Sequence, residues 1–371
     1  MTFLQDLKLH NFRCYDRQDM AGLTSGLLVF YGPNGAGKTN ILEGVSLLSP
    51  GRGLRSARMT EIQKQDGAEP WAVASNVESC GVQAQIGTGA DRESGKRTVR
   101  INGQTARGQN ALSDYLSCVW LTPQMDRLFL EASAHRRKFL DRLIFAFDPG
   151  HAGRITRYEN AMRQRARLLQ NGGGDPAWLT GLESQMSEAG VAIAAARCDF
   201  TERLQAACDR NETPHFPRAA LSVRGTLEEL LGAAPALEVE EMFAYQLLQS
   251  RSVDMLTGGA ATGPHKSDLN VRYVSKNMPA DQCSTGEQKA LLIGIVLAHA
   301  KLIAVERGSP PVLLLDEVAA HLDESRRAAL YELLGALGGQ VWLTGTDKNL
   351  FDAVKTTARF FEVRDAAVQR K

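Results

Sequence analysis

Residues 32–39 of the chain read Gly32-Pro33-Asn34-Gly35-Ala36-Gly37-Lys38-Thr39 and match every position of the pattern G-x-x-x-x-G-K-[ST]. An apolar run at residues 27–31 precedes the match and is typical of a buried strand, and residues 40–48 space their apolar side chains like a helix. In this setting the glycines let successive backbone N–H groups face phosphate groups, and the first helical turn adds its positive dipole end. The stretch therefore predicts a nucleotide-binding phosphate loop.

The residue types in this loop suit a nucleotide and its metal ion. We expect Lys38 to reach the β- and γ-phosphates and Thr39 to ligate Mg²⁺. The predicted phosphate contacts are Gly32, Pro33, Asn34, Gly35, Ala36, Gly37, Lys38, Thr39 and Asn40.

Length and composition limit the class of protein. A chain of 371 residues is too long for one compact core and suggests two domains, or one domain with a large insertion. A net charge of +1 gives no global bias toward nucleic acid or a membrane. The six cysteines are scattered without C-x-x-C spacing, as reduced thiols are. The N-terminus lacks the apolar core of a signal peptide and no apolar run is long enough to span a bilayer, so we expect a cytoplasmic protein without a membrane partner.

Two acidic residues end a later apolar run. Residues 311–315 lead into Asp316 and Glu317, a pattern that places the first carboxylate on the Mg²⁺ ion and the second where it can activate water. Another predicted strand ends next to Gln124, which could sense Mg²⁺ or the attacking water, although a glutamine after proline is more often only a surface residue. The stretch between Lys38 and Asp316 is far longer than a connecting loop, so an insertion splits the nucleotide-binding core.

Short β-type runs occupy residues 71–120, and the Asn102-Gly103 pair after one of them is a strong hairpin signal. We therefore predict a small antiparallel sheet beside the nucleotide site. Arg13 could face the nucleotide, and Arg52 and Arg55 could contact phosphate from the loop after the phosphate-loop helix. Ordinary solvated arginines would explain the same positions.

The insertion begins near residue 133, where the pattern becomes helical. Residues 134–171 carry nine basic residues against three acidic ones. Three glycines break the pattern at 172–174, and Asp175-Pro176 restarts a helix that should run to about residue 211. We expect an antiparallel helical hairpin, followed by an acidic helical region to about residue 256. The basic segment is either a solvated face or a contact with nucleic acid or protein.

The stretch Cys283-Ser284-Thr285-Gly286-Glu287 stands directly ahead of a long apolar helix, whose N-terminus predicts an anion site. This site lies far along the chain from the phosphate loop, so its phosphate must come from elsewhere. The stretch resembles the signature motif of ABC-type ATPases, in which the signature of one protomer closes on the ATP held by the other. The resemblance implies an ATP-dependent homodimer in which Ser284, Thr285, Gly286 and Glu287 act on the partner's ATP. It also implies D-loop and switch roles for His321, Asp323 and Thr346.

Within that superfamily the chain resembles the RecF family along essentially its whole length. The resemblance is carried by residues 11–15, 40–44, 47–55, 136–141 and 262–268, together with the signature and acidic motifs. It departs from the family pattern at Ser267, where a second Asp is common, and at residues 124–126, which replace a more acidic run. The resemblance implies a cytoplasmic DNA-binding protein with weak, DNA-stimulated ATPase activity in replication, recombinational repair and the SOS response. Its implied partners are RecR and RecO, with RecA loaded at gaps and single/double-strand junctions.

Closure of two such heads on ATP would bring their arms to one side, where basic residues could line a groove for double-stranded DNA. The loop after the phosphate-loop helix is the alternative DNA-binding surface. The candidates are Arg154, Arg157, Arg163, Arg165 and Arg167 on the arm, and Arg52 and Arg55 on the head.

The predicted fold is α/β: an ABC-type ATPase head with a mixed sheet, a phosphate loop and an antiparallel β subdomain, interrupted by an α-helical arm. The expected bounds are residues 1–133 and 262–371 for the head and 134–261 for the arm. Two other classes share the motifs. A transporter's nucleotide-binding subunit has only a short helical subdomain, and an SMC-type protein needs hundreds of heptad residues.

Overall fold

The computed structural model describes residues 1–65, 67, 69–172, 175–210 and 214–371. The chain divides into two compact units. The first consists of Met1–Asp126, Thr213–Phe216 and Leu292–Lys371, and the second of Arg127–Glu212 and Pro217–Leu291. The first unit is thus assembled from both ends of the chain, as a split core requires.

The N-terminal part of the first unit is mainly β-structure. Its strands are β1 (Thr2–Leu4), β2 (Asp6–Phe12), β3 (Tyr15–Ala21), β4 (Gly26–Tyr31), β5 (Ala72–Ser79), β6 (Val82–Ala90), β7 (Arg97–Ile101), β8 (Gln104–Thr105) and β9 (Cys118–Leu121). Its helices are α1 (Lys38–Leu47) and α2 (Met59–Ile62). Strand β4 and helix α1 confirm the strand and helix predicted on either side of the phosphate loop.

Seven of these strands form the predicted antiparallel β subdomain. Their order is β3-β2-β5-β6-β7-β8, and β1 pairs with β5. Asn102 and Gly103 join β7 to β8 with φ angles of 50° and 81°, as a type I′ hairpin turn requires. The chain forms two separate strands before residue 13, because β1 and β2 pair with different parts of β5.

The second unit combines helices with a small sheet. Its elements are α3 (Ser133–Phe145), α4 (His151–Gln170), α5 (Pro176–Asp209), β10 (Ala219–Arg224), α6 (Thr226–Leu231), α7 (Ala236–Gln249), α8 (Arg251–Thr257), β11 (Asp268–Tyr273), β12 (Met278–Pro279) and the beginning of α9 (Thr285–Arg307). The three strands pair in the order β10-β11-β12.

Helices α4 and α5 form the predicted hairpin. The Asp175 side chain accepts a hydrogen bond from the Ala177 amide at 2.9 Å, so α5 begins at the predicted cap. Arg165 on α4 bonds to Glu183 on α5. Tyr158, which precedes Arg165 on α4, lies against Gly190, which follows Glu183 on α5. The two helices therefore run antiparallel. Residues 173 and 174, where the break was predicted, lie outside the described residues.

Two features of this unit differ from the sequence expectations. The helical run expected over residues 134–171 is two helices, because Pro149 cannot donate a backbone hydrogen bond and the Gly150 amide instead bonds to the Asp148 side chain at 3.0 Å. Strand β10 was not predicted, and it pairs along its whole length with β11. Because β11 lies beyond residue 261, the second unit is not purely helical and extends past the predicted end of the arm to Leu291.

The C-terminal part of the chain returns to the first unit. Its elements are β13 (Val312–Leu315), α10 (Glu324–Ala336), β14 (Gln340–Gly345), β15 (Arg359–Arg364) and β16 (Ala367–Arg370). They join β4 and β9 in a six-stranded sheet of order β16-β15-β4-β14-β13-β9, parallel except for the β15–β16 pair. Phe30 packs between the rings of Trp342 and Phe361, with centroids 5.1 and 4.9 Å away. The mixed sheet confirms the α/β head.

Helix α9 is the one described helix long and apolar enough to cross a membrane by length and composition. Of its most apolar window, 78% is buried inside the structure, as in the core helix of a water-soluble protein.

Candidate functional site

The phosphate loop and the acidic pair lie at one edge of the six-stranded sheet. Strands β4, β14 and β13 are parallel neighbours, so the residues that follow them emerge on the same side. Ligands of open α/β sheets bind at this carboxyl edge. The sheet order therefore brings together residues that the sequence separates by the whole second unit.

The loop that follows β4 admits only glycine at its last position before α1. Gly37 has a φ of 107°, and a Cβ atom there would stand 2.6 Å from the Tyr15 hydroxyl and 2.8 Å from Cys14 Sγ. The Tyr15 hydroxyl donates to the Gly37 carbonyl at 3.2 Å, and burial raises the tyrosine pKa so that the donor stays protonated. The β subdomain thus fixes the shape of the phosphate loop.

Lys38 folds back over the loop. Its Nζ donates to the carbonyls of Gly32 and Pro33 at 2.8 and 2.9 Å, and the residue is 4% exposed. Burial lowers the lysine pKa, while the negative charges of Glu317 and Asp316 act in the opposite direction. A cation held among backbone acceptors and carboxylates at this place suits an incoming polyphosphate.

Two threonine hydroxyls converge on the carboxylate that ends β13. Thr39 Oγ1 donates to Asp316 Oδ1 and Oδ2 at 2.9 and 3.0 Å, and Thr344 Oγ1, at the end of β14, donates to Oδ1 at 2.8 Å. Asp316 is 5% exposed and its amide bonds to the Leu121 carbonyl at 2.9 Å. The structure thus brings together Thr39 and Asp316, two of the three residues predicted at the Mg²⁺ site.

These ligands fit a magnesium ion. A hydroxyl and a carboxylate are hard oxygen donors, and Mg²⁺ keeps several waters while taking one or two protein ligands and phosphate oxygens. Among the described residues no group of three or more His, Cys, Asp and Glu side chains could hold a metal by itself. Phosphate oxygens of a bound nucleotide and waters would complete the coordination of a Mg²⁺ ion at Thr39 and Asp316.

Glu317 is held by its backbone. Its φ is 51°, in the left-handed region, and its amide donates to Thr344 Oγ1 at 2.9 Å. A non-glycine residue in this conformation needs support from its surroundings and is common at functional sites. Gln124 lies in a short 3₁₀ turn at the carboxyl end of β9 and is exposed. The sheet thus places Gln124 and Glu317 after neighbouring strands, and their catalytic roles stay predictions.

Thr344 is the functional residue that the sequence analysis missed. The switch role was predicted for Thr346, two residues later, which is exposed, whereas Thr344 is 1% exposed and contacts both acidic positions. The available signal was a hydroxyl residue inside the apolar run of β14. Asp323 caps α10 by accepting from the Arg326 amide at 2.8 Å. The side chain of His321 lies outside the described part of the structure.

Arg13 and Arg55 share one buried carboxylate. Arg13 binds both oxygens of Glu43, at 2.5 and 2.8 Å, and Arg55 reaches the same side chain at 3.1 Å and Asn40 Oδ1 at 2.8 Å. Glu43 lies on α1 and its side chain is 1% exposed. These arginines are therefore tied to the phosphate-loop helix, and a nucleotide or DNA contact by either remains a prediction. Arg52 is exposed on the same loop.

The signature stretch forms a capping box at the start of α9. The Ser284 amide donates to Glu287 Oε2 at 3.0 Å, and the Glu287 amide donates to Ser284 Oγ at 3.4 Å. Ser284 and Thr285 are exposed, so the helix N-terminus faces solvent. The structure thus confirms that a helix begins at this motif, as the sequence predicted.

The arm arginines do not all lie on the surface. Arg165 is 1% exposed and binds Glu183 at 2.8 Å and Asp254 at 2.7 Å. Its prediction as a DNA contact was wrong, because it completes a buried ion-pair network. Arg154 pairs with Asp148.

The remaining arm candidates are exposed: Arg157, Arg163 and Arg167. Arg163 and Arg167 stand one helical turn apart on α4 and so share a face. The sequence could not distinguish them from Arg165, because arginine marks surface positions far more often than buried ones.

The 262–268 motif holds the second unit together. His265 Nδ1 lies 2.7 Å from the Tyr158 hydroxyl, and Ser267 Oγ donates to Glu228 at 2.6 Å. Asp268 accepts two bonds from the Arg136 guanidinium, both at 2.7 Å. Burial lowers the pKa of His265, which favours a neutral ring. The motif therefore has a structural role that its sequence did not reveal.

A phosphate loop, an acidic strand end supported by the neighbouring strand, an antiparallel β subdomain and a capped signature helix together define an ABC-type ATPase head of the SMC-like class. The family model "RecF/RecN/SMC N terminal domain" matches residues 3–369. The chain is 48% identical to the DNA replication and repair protein RecF of Mesorhizobium japonicum, over 99% of this chain and 97% of that protein. It is 45% identical to the protein of the same name from Rhizobium meliloti, over 99% and 98% of the two chains. The chain belongs to the RecF family of DNA replication and repair proteins.

Solved structures share the fold. One, described as the recombination mediator protein RecF-ATPrS in the RecFOR pathway, superposes with a TM-score of 0.87 at 23% identity, covering 100% of this chain and 98% of that one. The Smc head domain of Pyrococcus furiosus, bound to the C-terminal domain of ScpA, has a TM-score of 0.56 at 15% identity, with 100% and 96% of the chains covered. Both likenesses support the head fold.

Proposed function

We propose that this chain is a cytoplasmic, ATP-dependent DNA-binding protein of recombinational repair, with weak, DNA-stimulated ATPase activity. ATP binding closes two heads into a dimer on double-stranded DNA, and slow hydrolysis releases them. In this proposal the dimer acts with RecR and RecO to load RecA at gaps and single/double-strand junctions. The names of the relatives and the RecFOR description of the solved neighbour support it.

The convergence of Thr39, Asp316 and Thr344 at the phosphate loop carries the nucleotide part of the proposal. Lys38, already placed among backbone acceptors, would exchange the Gly32 and Pro33 carbonyls for phosphate oxygens. Thr39 and Asp316 would hold Mg²⁺, whose charge neutralises the phosphates. The chain thus supplies one positive group, Lys38, and the oxygen ligands for the second, Mg²⁺.

Hydrolysis needs a base that touches the attacking water. Glu317 follows the metal-binding carboxylate directly and is partly exposed, so its carboxylate can reach a water beyond the terminal phosphate. Gln124, at the end of the adjacent strand, would orient the same water or contact Mg²⁺. Because the signature must come from a second protomer, turnover depends on assembly, which is consistent with slow hydrolysis.

The chemistry is tested by two substitutions with different expected outcomes. Lys38→Ala should abolish binding of a fluorescent ATP analogue, since a buried cation at the phosphates is lost. Glu317→Gln keeps the size of the side chain and should bind the analogue normally while losing turnover. Equal loss of ATP affinity in both variants would refute the assignment of the two residues.

Assembly is tested by Ser284→Arg, which places a bulky cation where the partner's phosphate must dock. The variant should bind the ATP analogue but fail to dimerise with ATP in sedimentation velocity. The matched control is Ser252→Arg, which adds the same side chain at an exposed position of α8. A normal ATP-dependent dimer of Ser284→Arg would exclude the signature role, and the absence of an ATP-dependent dimer in the wild type would refute the proposed function.

A further inference from the structure

A lysine outside the signature motif lies beside the start of α9. Lys276 stands in the turn that joins β11 to β12, and its Nζ bonds to Glu287 Oε1. The turn is well braced: Arg272 donates to the Asn277 carbonyl at 2.7 Å and to its side-chain oxygen at 2.9 Å. The Lys276 ammonium also lies 5.6 Å from the ring centroid of Tyr273. The hairpin therefore holds a cation at the N-terminus of the signature helix.

The second oxygen of Glu287 occupies the donors of the signature serine. Oε2 accepts from the Ser284 amide and from Ser284 Oγ, each at 3.0 Å. These bonds and the Lys276 partner lower the pKa of Glu287 to about 2, the lysine contributing most, so the carboxylate is ionised at neutral pH. An anion is therefore already bound where the helix end attracts one.

The backbone around this carboxylate is held in place. Gln288 is 2% exposed, and its Nε2 donates to the Cys283 carbonyl at 2.8 Å. The side chains, in contrast, are accessible: Lys276 is 49% and Glu287 19% exposed. The helix end therefore stays fixed while the carboxylate can move away from it.

We propose that the Glu287 carboxylate occupies the Ser284 donors until the phosphate of the partner's nucleotide replaces it there. Lys276 is the positioning residue that permits this exchange of carboxylate for phosphate. This inference rests on the proposed ATP-dependent dimer. When the heads close, the terminal phosphate of the partner's nucleotide takes the Ser284 donors and Glu287 swings aside. Lys276 then lies between the two anions and offsets their repulsion.

The balance of charges around Ser284 determines whether each substitution weakens or tightens the ATP-dependent dimer. Without Lys276 the Glu287 carboxylate faces the phosphate uncompensated, and two unit charges a few ångströms apart in water change a binding constant by roughly tenfold. A two-fold symmetric dimer contains the contact twice, so Lys276→Ala should weaken ATP-dependent dimerisation by about a hundredfold. Glu287→Gln removes the competing charge but keeps an oxygen for the Ser284 amide, and it should tighten the dimer.

The experiment measures the dimer dissociation constant by sedimentation velocity with ATP and with ADP. The variants are Lys276→Ala, Glu287→Gln and the double variant, in which the loss of both charges should restore a constant close to that of the wild type. The control is Lys96→Ala, since Lys96 is an exposed lysine near a hairpin turn of the first unit. Binding of a fluorescent ATP analogue to the dilute monomer is the second readout.

The outcomes separate this inference from the function it rests on. Weaker dimerisation of Lys276→Ala, rescued by adding Glu287→Gln and absent in Lys96→Ala, supports the exchange. A wild-type dimer constant for Lys276→Ala, or a double variant as weak as the single one, overturns it. If Ser284→Arg still blocks assembly in that case, the composite ATP site stands and only the role of Lys276 is lost.

Discussion

Replacing Thr344 by valine tests whether the end of β14 supports the Asp316 carboxylate, which we propose binds Mg²⁺. Valine has nearly the shape of threonine, so the 1% exposed site stays filled while the hydroxyl is lost. Two hydrogen bonds disappear: the one to Asp316 Oδ1 at 2.8 Å and the one from the Glu317 amide at 2.9 Å.

The magnitude follows from those two bonds. A hydrogen bond to a charged group contributes about 1.5–3 kcal/mol, and a buried amide left without an acceptor costs about 1–3 kcal/mol. We therefore expect Thr344→Val to lower the free energy of unfolding by roughly 3–5 kcal/mol. For a unit of about 200 residues this corresponds to a melting temperature about 6–20 °C lower.

The site should also lose metal affinity. Groups that orient a metal ligand typically contribute about 10–100-fold to metal binding. We expect the Mg²⁺ concentration needed for half-maximal binding of a fluorescent ATP analogue to rise by at least about tenfold. The control is Thr344→Ser, which keeps the hydroxyl and removes one methyl group, at a cost of about 0.8 kcal/mol.

The assay combines thermal unfolding with Mg²⁺ titrations of nucleotide binding for both variants. A melting temperature and a Mg²⁺ requirement that are the same for Thr344→Val and Thr344→Ser would refute the reasoning. A loss of stability without a change in Mg²⁺ requirement would leave Thr344 a structural residue and remove it from the site.

Three further predictions concern the second unit and the thiols. Arg165→Met should lower the free energy of unfolding by about 3–5 kcal/mol, because the buried Asp254 loses its arginine partner and Glu183 keeps only Arg251, and thermal unfolding should show no comparable loss for the exposed Arg163→Met. Replacing Arg163 and Arg167 together by alanine should weaken ATP-dependent binding of duplex DNA and lower the slope of log affinity against log salt by up to about two; an unchanged slope in fluorescence anisotropy would exclude these contacts. Burial raises the pKa of Cys208 to about 12 and favours the unreactive thiol, so at pH 8 iodoacetamide should label the exposed Cys80 well before Cys208, as mass spectrometry of the peptides can show; equal labelling of both in the native state would contradict the buried position.

The head could be predicted from local patterns because each of its motifs occupies one contiguous stretch of the sequence. The phosphate loop needs a strand, a glycine turn and a helix in immediate succession, so residues 27–48 contain all of it. The same holds for Asp316 and Glu317 at the end of an apolar run, and for the Asn102-Gly103 hairpin. The signature stretch likewise carries its own helix start, because a capping box spans only four residues.

Contacts between distant segments could not be predicted. Strand β10 is short and becomes a strand only by pairing with β11, more than 40 residues later. Arg165 looks like any exposed arginine, and only the packing of α4 against α5 and α8 shows that its charge is buried. The division of the chain also depended on such pairings, since Asp268 binds Arg136 across the expected boundary.

The sequence by itself determined the nucleotide chemistry of this protein and its family, because the phosphate loop, the acidic strand end and the signature are each local. The tertiary structure decided which side chains support that chemistry. Thr344 reaches Asp316 only because β14 lies beside β13, and Lys276 meets Glu287 only because a hairpin turns back to the start of α9. Such partners depend on which elements pack together in space. The type of a residue and its neighbours along the chain do not predict that packing.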